Sequence, residues 1–380
     1  MAAGKQGRGS APGGVGAPSL RSKRVILSIL LAISAIVGMY LIAGSLEGFS
    51  RTARRLGSGS LGWLLAAGAL ELASIGGYAV LFWSVIARDV PKIGWRASVQ
   101  IPLAGIAALR LLATGGAGGF AVTAWALRRA GMTARMIGTR MIAALVIEYS
   151  LYLLSLVVFG FGLWAGLFVG GGSFALTLLP AAISLALIAI VLGFAALPLP
   201  GSERRDAAGA PREEGGTPAR PIATLRARLL VARQTAHAGV RAALSALSLQ
   251  SPDLRSLGML GALAYWFFDI AVLWCSFRAF VPPPAVAVVV MGYFLGTFGS
   301  LLPLAGGVGG VEGGMFGVFV AFGVQPAHAL LGVLTYRLIS FWLPTLPGVA
   351  GYLGLRRTVH GWESAARESA QQERATAGSA

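Results

Sequence analysis

Apolar runs about 20 residues long recur along almost the whole chain, and no other feature restricts the fold so tightly. Residues 25–44, 61–87, 133–162, 173–197, 257–280 and 327–355 are each long enough to cross a bilayer. A segment surrounded by lipid must satisfy its own backbone polar groups, so each run is predicted to be a helix. The expected fold is an all-α polytopic membrane protein with about six full spans. The spans leave no room for a separate soluble catalytic domain. The run at 25–44 is too long for a signal-peptide core and has no clear small-residue cleavage site, so it reads as an uncleaved first span.

Charge then sets the orientation. The chain carries 31 Lys+Arg against 14 Asp+Glu, a net charge of +17. That excess lies between the apolar runs, where it orients spans in an anionic membrane, and no nucleic-acid partner is expected. Arg88, Lys92 and Arg96 place the end of the second span in the cytoplasm, and so does the arginine-rich segment 200–256. An even number of crossings must separate them, and 133–162 with 173–197 supply two. Residues 97–127, with GGAGG at 115–119, must then enter and leave on the cytoplasmic side as a re-entrant hairpin. The same count makes 284–325, with GGVGG at 306–310, a second hairpin entered from outside. Two oppositely oriented glycine-rich hairpins are the pattern of an inverted repeat, whose site lies where interrupted segments meet near the midplane. Arg51, Arg54 and Arg55 fall in the loop placed outside and run against the positive-inside rule.

The resulting organisation is a disordered basic tail (1–24), a first membrane half (25–199), a cytoplasmic linker (200–256), a second half (257–355) and a C-terminal tail (356–380). Both termini are placed in the cytoplasm. Within the linker, Leu225, Leu229, Ala236, Val240, Leu244 and Leu247 recur at helical intervals, predicting a basic amphipathic helix on the inner surface.

Chemistry concentrates on a few buried charges. GGVGGVEGGMFG, residues 306–317, places Glu312 among seven glycines. Gly306, Gly310 and Gly314 recur every four residues, a spacing that serves close helix packing. Gly306, Gly307, Gly309 and Gly310 equally provide open backbone to line a cavity. A carboxylate at membrane depth costs about 3 kcal/mol and is either paired or functional. Arg337 in the last span is the partner on offer, next to Tyr336. Arg110, Glu148, Asp269 and Glu71 complete the buried set, with Arg140 a weaker member. Arg110 and Arg337 suit an anionic headgroup because a guanidinium grips phosphate with two parallel hydrogen bonds.

Other chemistries lack their residues. Cys275 is the single cysteine, and His237, His328 and His360 are scattered, so neither a metal nor a cofactor is expected. GAGGFA at 116–121 matches a dinucleotide fingerprint, but no β-α-β unit surrounds it. No Walker A sequence occurs, so no ATPase of its own is expected, and no nucleophile with a spaced histidine and acid stands out.

The order LLPLAGGVGGVEGGMFGVFVAFGV then AHALLGVLTYRLISFWLPTLPG resembles the signature of the lysylphosphatidylglycerol synthase transmembrane, or flippase-like, family. Its hairpin, Gly-Val step and final span fall on Gly306, Gly307, Gly309, Glu312, Gly323, Tyr336, Arg337, Trp342 and Pro344. The first half matches more loosely, through ATGGAGGFAVTAWALRRAGMT and Glu148, and Pro303 stands three residues before Gly306 where the family's proline is adjacent. The resemblance covers residues 25 to 355. It implies a multi-span bacterial inner-membrane protein that moves lipids between leaflets, with membrane lipids, anionic or lipid-linked, as partners. Homo-oligomerisation and an envelope-biosynthesis partner stay open. Family members that synthesise aminoacylated lipid carry a soluble transferase domain, which this chain lacks, so synthase activity is not expected. The alternative is a membrane-embedded transferase or an accessory scaffold of a lipid or cell-envelope glycan synthesis complex.

Overall fold

The computed structural model describes residues 59–111, 117–197, 221–247, 256–301 and 309–377, and these are helical throughout with connecting turns. The run predicted at 25–44 lies outside the described residues. In chain order the helices are α1 (Leu61–Phe82, extended by a wide π turn over Trp83–Ala87), α2 (Trp95–Leu111), α3 (Ala117–Arg129), α4 (Ala134–Trp164), α5 (Leu178–Ala196), α6 (Pro221–Leu247), α7 (Ser256–Arg278), α8 (Val286–Thr297), α9 (Gly310–Ala321) and α10 (Pro326–Ala377). Among the described residues, five helices are long and apolar enough to cross a membrane: α1, α4, α5, α7 and α10.

The two glycine-centred stretches form pairs of short helices. Neither α8 nor α9, at 12 residues each, reaches across a hydrocarbon core, since 12 residues of helix rise only about 18 Å. The pairs open at opposite ends of the molecule. One apolar cluster joins the end of α1 (Phe82, Ile86), the feet of the first hairpin (Ala97, Leu127), the start of α4 (Ile137) and the far half of α10 (Leu355). The other joins the ends of α4 and α7 (Leu163, Phe277), the feet of the second hairpin (Val288, Phe319) and the start of α10 (Ala329, Val333). α1 starts at this second end, where the Ser60 amide donates to the Ala279 carbonyl (2.9 Å).

Small residues let the central helices touch backbone to backbone. A methyl at Gly77 would come 2.8 Å from the Gly261 carbonyl, and one at Gly261 would come 2.6 Å from the Leu81 amide nitrogen. α1 and α7 therefore cross without side chains between them. Gly119 against the Gly105 carbonyl (2.8 Å) closes the first hairpin, and Gly314 against the Gly296 carbonyl (2.7 Å) closes the second. Polar side chains add specificity where apolar packing has none: Tyr152 donates to the Phe294 carbonyl (2.6 Å) and Trp266 Nε1 to the Glu148 carbonyl (2.9 Å), fastening α4 to α8 and α7. α5 buries only Ala181 and Ser184 and turns its leucines and isoleucines outward, as a lipid-facing helix does.

Three features depart from the sequence boundaries. α5 begins at Leu178, five residues after its apolar run, because Ser173–Thr177 form turns. α10 continues through the polar stretch after 355 to Ala377, where Arg129 of the first hairpin pairs with Glu363. α6 packs on α4, with Gly239 against Ile142 and the Thr139 carbonyl, while His237 binds the Leu197 carbonyl (3.1 Å).

The close α1–α7 crossing gives a direct test. Gly261→Ala should cost about 1–3 kcal/mol by overpacking and lower the melting temperature of the detergent-purified protein. Gly68→Ala, on the same α1 with nothing within 4 Å of its added carbon, should leave it unchanged or raise it slightly. Equal effects of the two would show that α1 and α7 do not touch in this way.

Candidate functional site

Five helices bring ionisable side chains to one depth. From the end of the bundle that holds the feet of the second hairpin, Glu71 lies ten residues into α1 and Arg337 eleven into α10. Asp269 and Glu312 each lie nine residues before the ends of α7 and α9. At 1.5 Å per residue these positions fall roughly 14–17 Å deep, near the middle of a core about 30 Å thick. Arg110 approaches from the other side, fifteen residues along α2 and roughly 22 Å from its foot.

Glu312 owes its place to the start of α9. Gly309 precedes the helix with φ +84°, a left-handed conformation that a residue without Cβ adopts freely. Its amide donates to Glu312 Oε2 at 2.7 Å, so one carboxylate oxygen satisfies an orphan N–H where the helix dipole favours negative charge. The other, Oε1, accepts from Arg337 Nε at 2.7 Å. Both side chains are largely buried, at 9% and 14% exposure, which is the geometry an ion pair needs to offset its desolvation.

Arg337 and Arg110 meet on the same ring. Their guanidinium carbons lie 5.3 and 5.6 Å from the centroid of Phe341, one turn beyond Arg337 on α10. Arg110 Nη1 also donates to the Phe341 carbonyl at 2.7 Å, and the Thr345 hydroxyl donates to the same oxygen. Pro344 and Pro347 free the carbonyls of Ser340 and Leu343, on either side of Phe341, from the helix ladder. The tips of both hairpins thus contact one stretch of the last span.

Asp269 sits beside this pair. Its Oδ2 accepts from Tyr293 of α8 at 2.5 Å, while the Tyr336 hydroxyl approaches the same oxygen at 3.3 Å. Glu71 faces Asp269 across the α1–α7 contact, and Arg110 is within electrostatic range of both acids and of Arg337. Glu71 Oε2 and Asp269 Oδ1 are buried and meet no hydrogen-bond donor among the described residues. Two guanidiniums therefore share one depth with three carboxyl groups.

The structure brings together Arg110, Asp269, Gly309, Glu312, Tyr336 and Arg337. Gly310 supports them from behind: its carbonyl lies so close to Gly299 that no side chain fits there. Gly306 and Gly307 lie outside the described residues. Glu148 stands apart on α4, lining a cavity beside the first hairpin; Tyr265 lies within electrostatic range of both Glu148 and Asp269. Arg140 serves the fold, donating to the carbonyl of Ile86 in the π turn (2.7 Å) and pairing with Asp89 (3.1 Å).

Sequence reading missed Phe341, Tyr293 and Tyr265. Tyr265 and Asp269 are four apart on one helix face, a signal that was present. The joint role of Phe341 was not, because it depends on two hairpins arriving at one ring.

The lysylphosphatidylglycerol synthase TM region family matches this chain over residues 25–348. Shorter stretches are similar to UPF0104 membrane proteins of Methanothermobacter thermautotrophicus. One is 29% identical over 105 residues, covering 27% of this chain and 31% of the relative. Another is 34% identical over 106 residues, covering 27% and 30%. A third is 34% identical over 99 residues, covering 25% and 30%. The chain thus spans under a third of the length of the relatives it matches. By the match that covers most of its length, this chain is an integral membrane protein belonging to the lysylphosphatidylglycerol synthase TM region family.

Proposed function

We propose that this protein moves an anionic lipid, or a lipid-linked anionic headgroup, between membrane leaflets without an ATPase of its own. The observation that carries the reading is the pair of guanidiniums, Arg110 on the first hairpin and Arg337 on the last span, both within 6 Å of one ring at mid-membrane depth. Arg337 is answered by the Glu312 carboxylate, whereas Arg110 donates to a backbone carbonyl. A phosphate beside the ring can accept charge-assisted hydrogen bonds from both guanidiniums. The arrangement of the hairpins supports a path as well as a site. Each opens at one end of the bundle and stops at the common depth, so a headgroup at the arginines is one short hairpin away from either surface. The acyl chains would stay in lipid along the outward-facing apolar helices.

The test is transfer of a fluorescent phosphatidylglycerol in vesicles. Losing a charge-assisted contact worth roughly 1.5–3 kcal/mol predicts a slowing of about ten- to a hundredfold for Arg110→Gln. Arg110 is the choice because its hydrogen bond goes to a backbone carbonyl and no acid loses a bonded partner. Equal rates for wild type and variant would remove the reading.

A scaffold reading makes Glu312 and Arg337 a lock and nothing more, and paired substitutions separate the two. Glu312→Gln alone leaves Arg337 without its counter-charge and should cost about 3–5 kcal/mol in stability. Glu312→Gln with Arg337→Gln removes both charges and should recover most of that stability. Under the translocation reading the stable double variant is still slow in lipid transfer; wild-type transfer by it would favour a purely structural pair.

A further inference from the structure

Glu148 is a half-buried acid that the central group does not use. It lines a cavity of about 100 Å³ enclosed by α1, the first hairpin and α4. The carboxylate faces Tyr78, which stacks against Tyr265 at 5.4 Å between ring centroids. Phe82, one turn along α1 from Tyr78, and Phe120 of α3 supply further aromatic wall, and Thr123 adds a hydroxyl. Among the described residues no lysine or arginine pairs with Glu148, in contrast to Glu312. An acid at membrane depth without a basic partner, in a pocket walled by rings, lacks a positive charge that the chain itself does not supply.

We propose that this cavity binds an organic ammonium group, with Glu148 as counter-charge and the rings of Tyr78, Phe82 and Phe120 as its walls. Ring faces attract an alkylated cation through their quadrupoles, and a carboxylate adds charge-assisted hydrogen bonds when the group still carries N–H. The size fits a single ammonium and excludes a whole headgroup. The source is set by the opening: Leu109 and Phe120, at 41% and 44% exposure, lie on the surface that acyl chains cover, so the ammonium arrives on a lipid. The site is distinct from the two arginines and stands whether or not the bound lipid changes leaflet.

The test uses the full-length protein in nanodiscs of equal phosphatidylglycerol and phosphatidylethanolamine, with the lipids retained after detergent washing counted by mass spectrometry. Wild type should retain phosphatidylethanolamine with roughly tenfold preference over the bulk ratio, the scale of one charge-assisted contact. Glu148→Gln, a neutral near-isostere whose melting temperature is checked in parallel, should lose the preference, and so should wild type when N-acetylated phosphatidylethanolamine replaces the amine. Unchanged preference in either arm would overturn the proposal. Displacement of the lipid by millimolar free ethanolamine would overturn its lipid source and assign the site to a water-soluble amine. Phosphatidylglycerol carries no ammonium, so its transfer reports on the arginines alone, and failure here is separable from failure of the translocation reading.

Discussion

An ionised group in the middle of a bilayer survives only with partners, and the architecture of this protein follows from supplying them. The Glu312 carboxylate is held at both oxygens, by the Gly309 amide and by Arg337. That dual grip requires a helix that begins at mid-depth, because only a helix start offers free amides there. A helix can begin at mid-depth only if the chain has entered the membrane and turned back. Turning back in turn needs backbone packed against protein, away from lipid, which the glycine contacts between α8 and α9 provide. The re-entrant hairpin, its glycines and its buried acid are therefore one device.

The first hairpin meets the same constraint with the opposite charge. Arg110 sits at the end of α2, where orphan carbonyls favour a cation, and reaches the Phe341 carbonyl of α10. α10 accepts it at a backbone carbonyl, whose second lone pair stays open to a side-chain donor. The last span is thus the common reference for both hairpins: Arg337, Phe341 and the prolines lie within eleven residues (337–347). Asp269 and Glu71 face each other within electrostatic range of Arg110, so acids and guanidiniums share the middle of the bundle.

Much of this was readable from the residues. Apolar run length placed the described spans to within a few residues, since a bilayer leaves a helix little alternative. Charge-counting between runs required the two hairpins, and the cost of a lone carboxylate made Arg337 a candidate partner for Glu312, though only the structure showed them touching. The rest was hidden for physical reasons. Residues 356–377 look like a tail because they are polar, yet alanine, glutamate and arginine are good helix formers and extend α10. Phe341 reads as one apolar residue among many, because its value lies in its carbonyl and in which side chains reach its ring. Glu148 was singled out as a buried acid, but nothing in its neighbours along the chain told of a cavity walled by α1 and α3.

The central claim is that two guanidiniums, one on the first hairpin and one on the last span beside the second hairpin's tip, share one anion at mid-membrane depth. A cryo-electron microscopy map of the protein in nanodiscs of phosphatidylglycerol tests it most directly. The account predicts headgroup density within hydrogen-bond distance of both Arg110 and Arg337, beside Phe341. A map with the arginines bound only to protein groups, or with the two hairpin tips apart and facing the same surface, would contradict it.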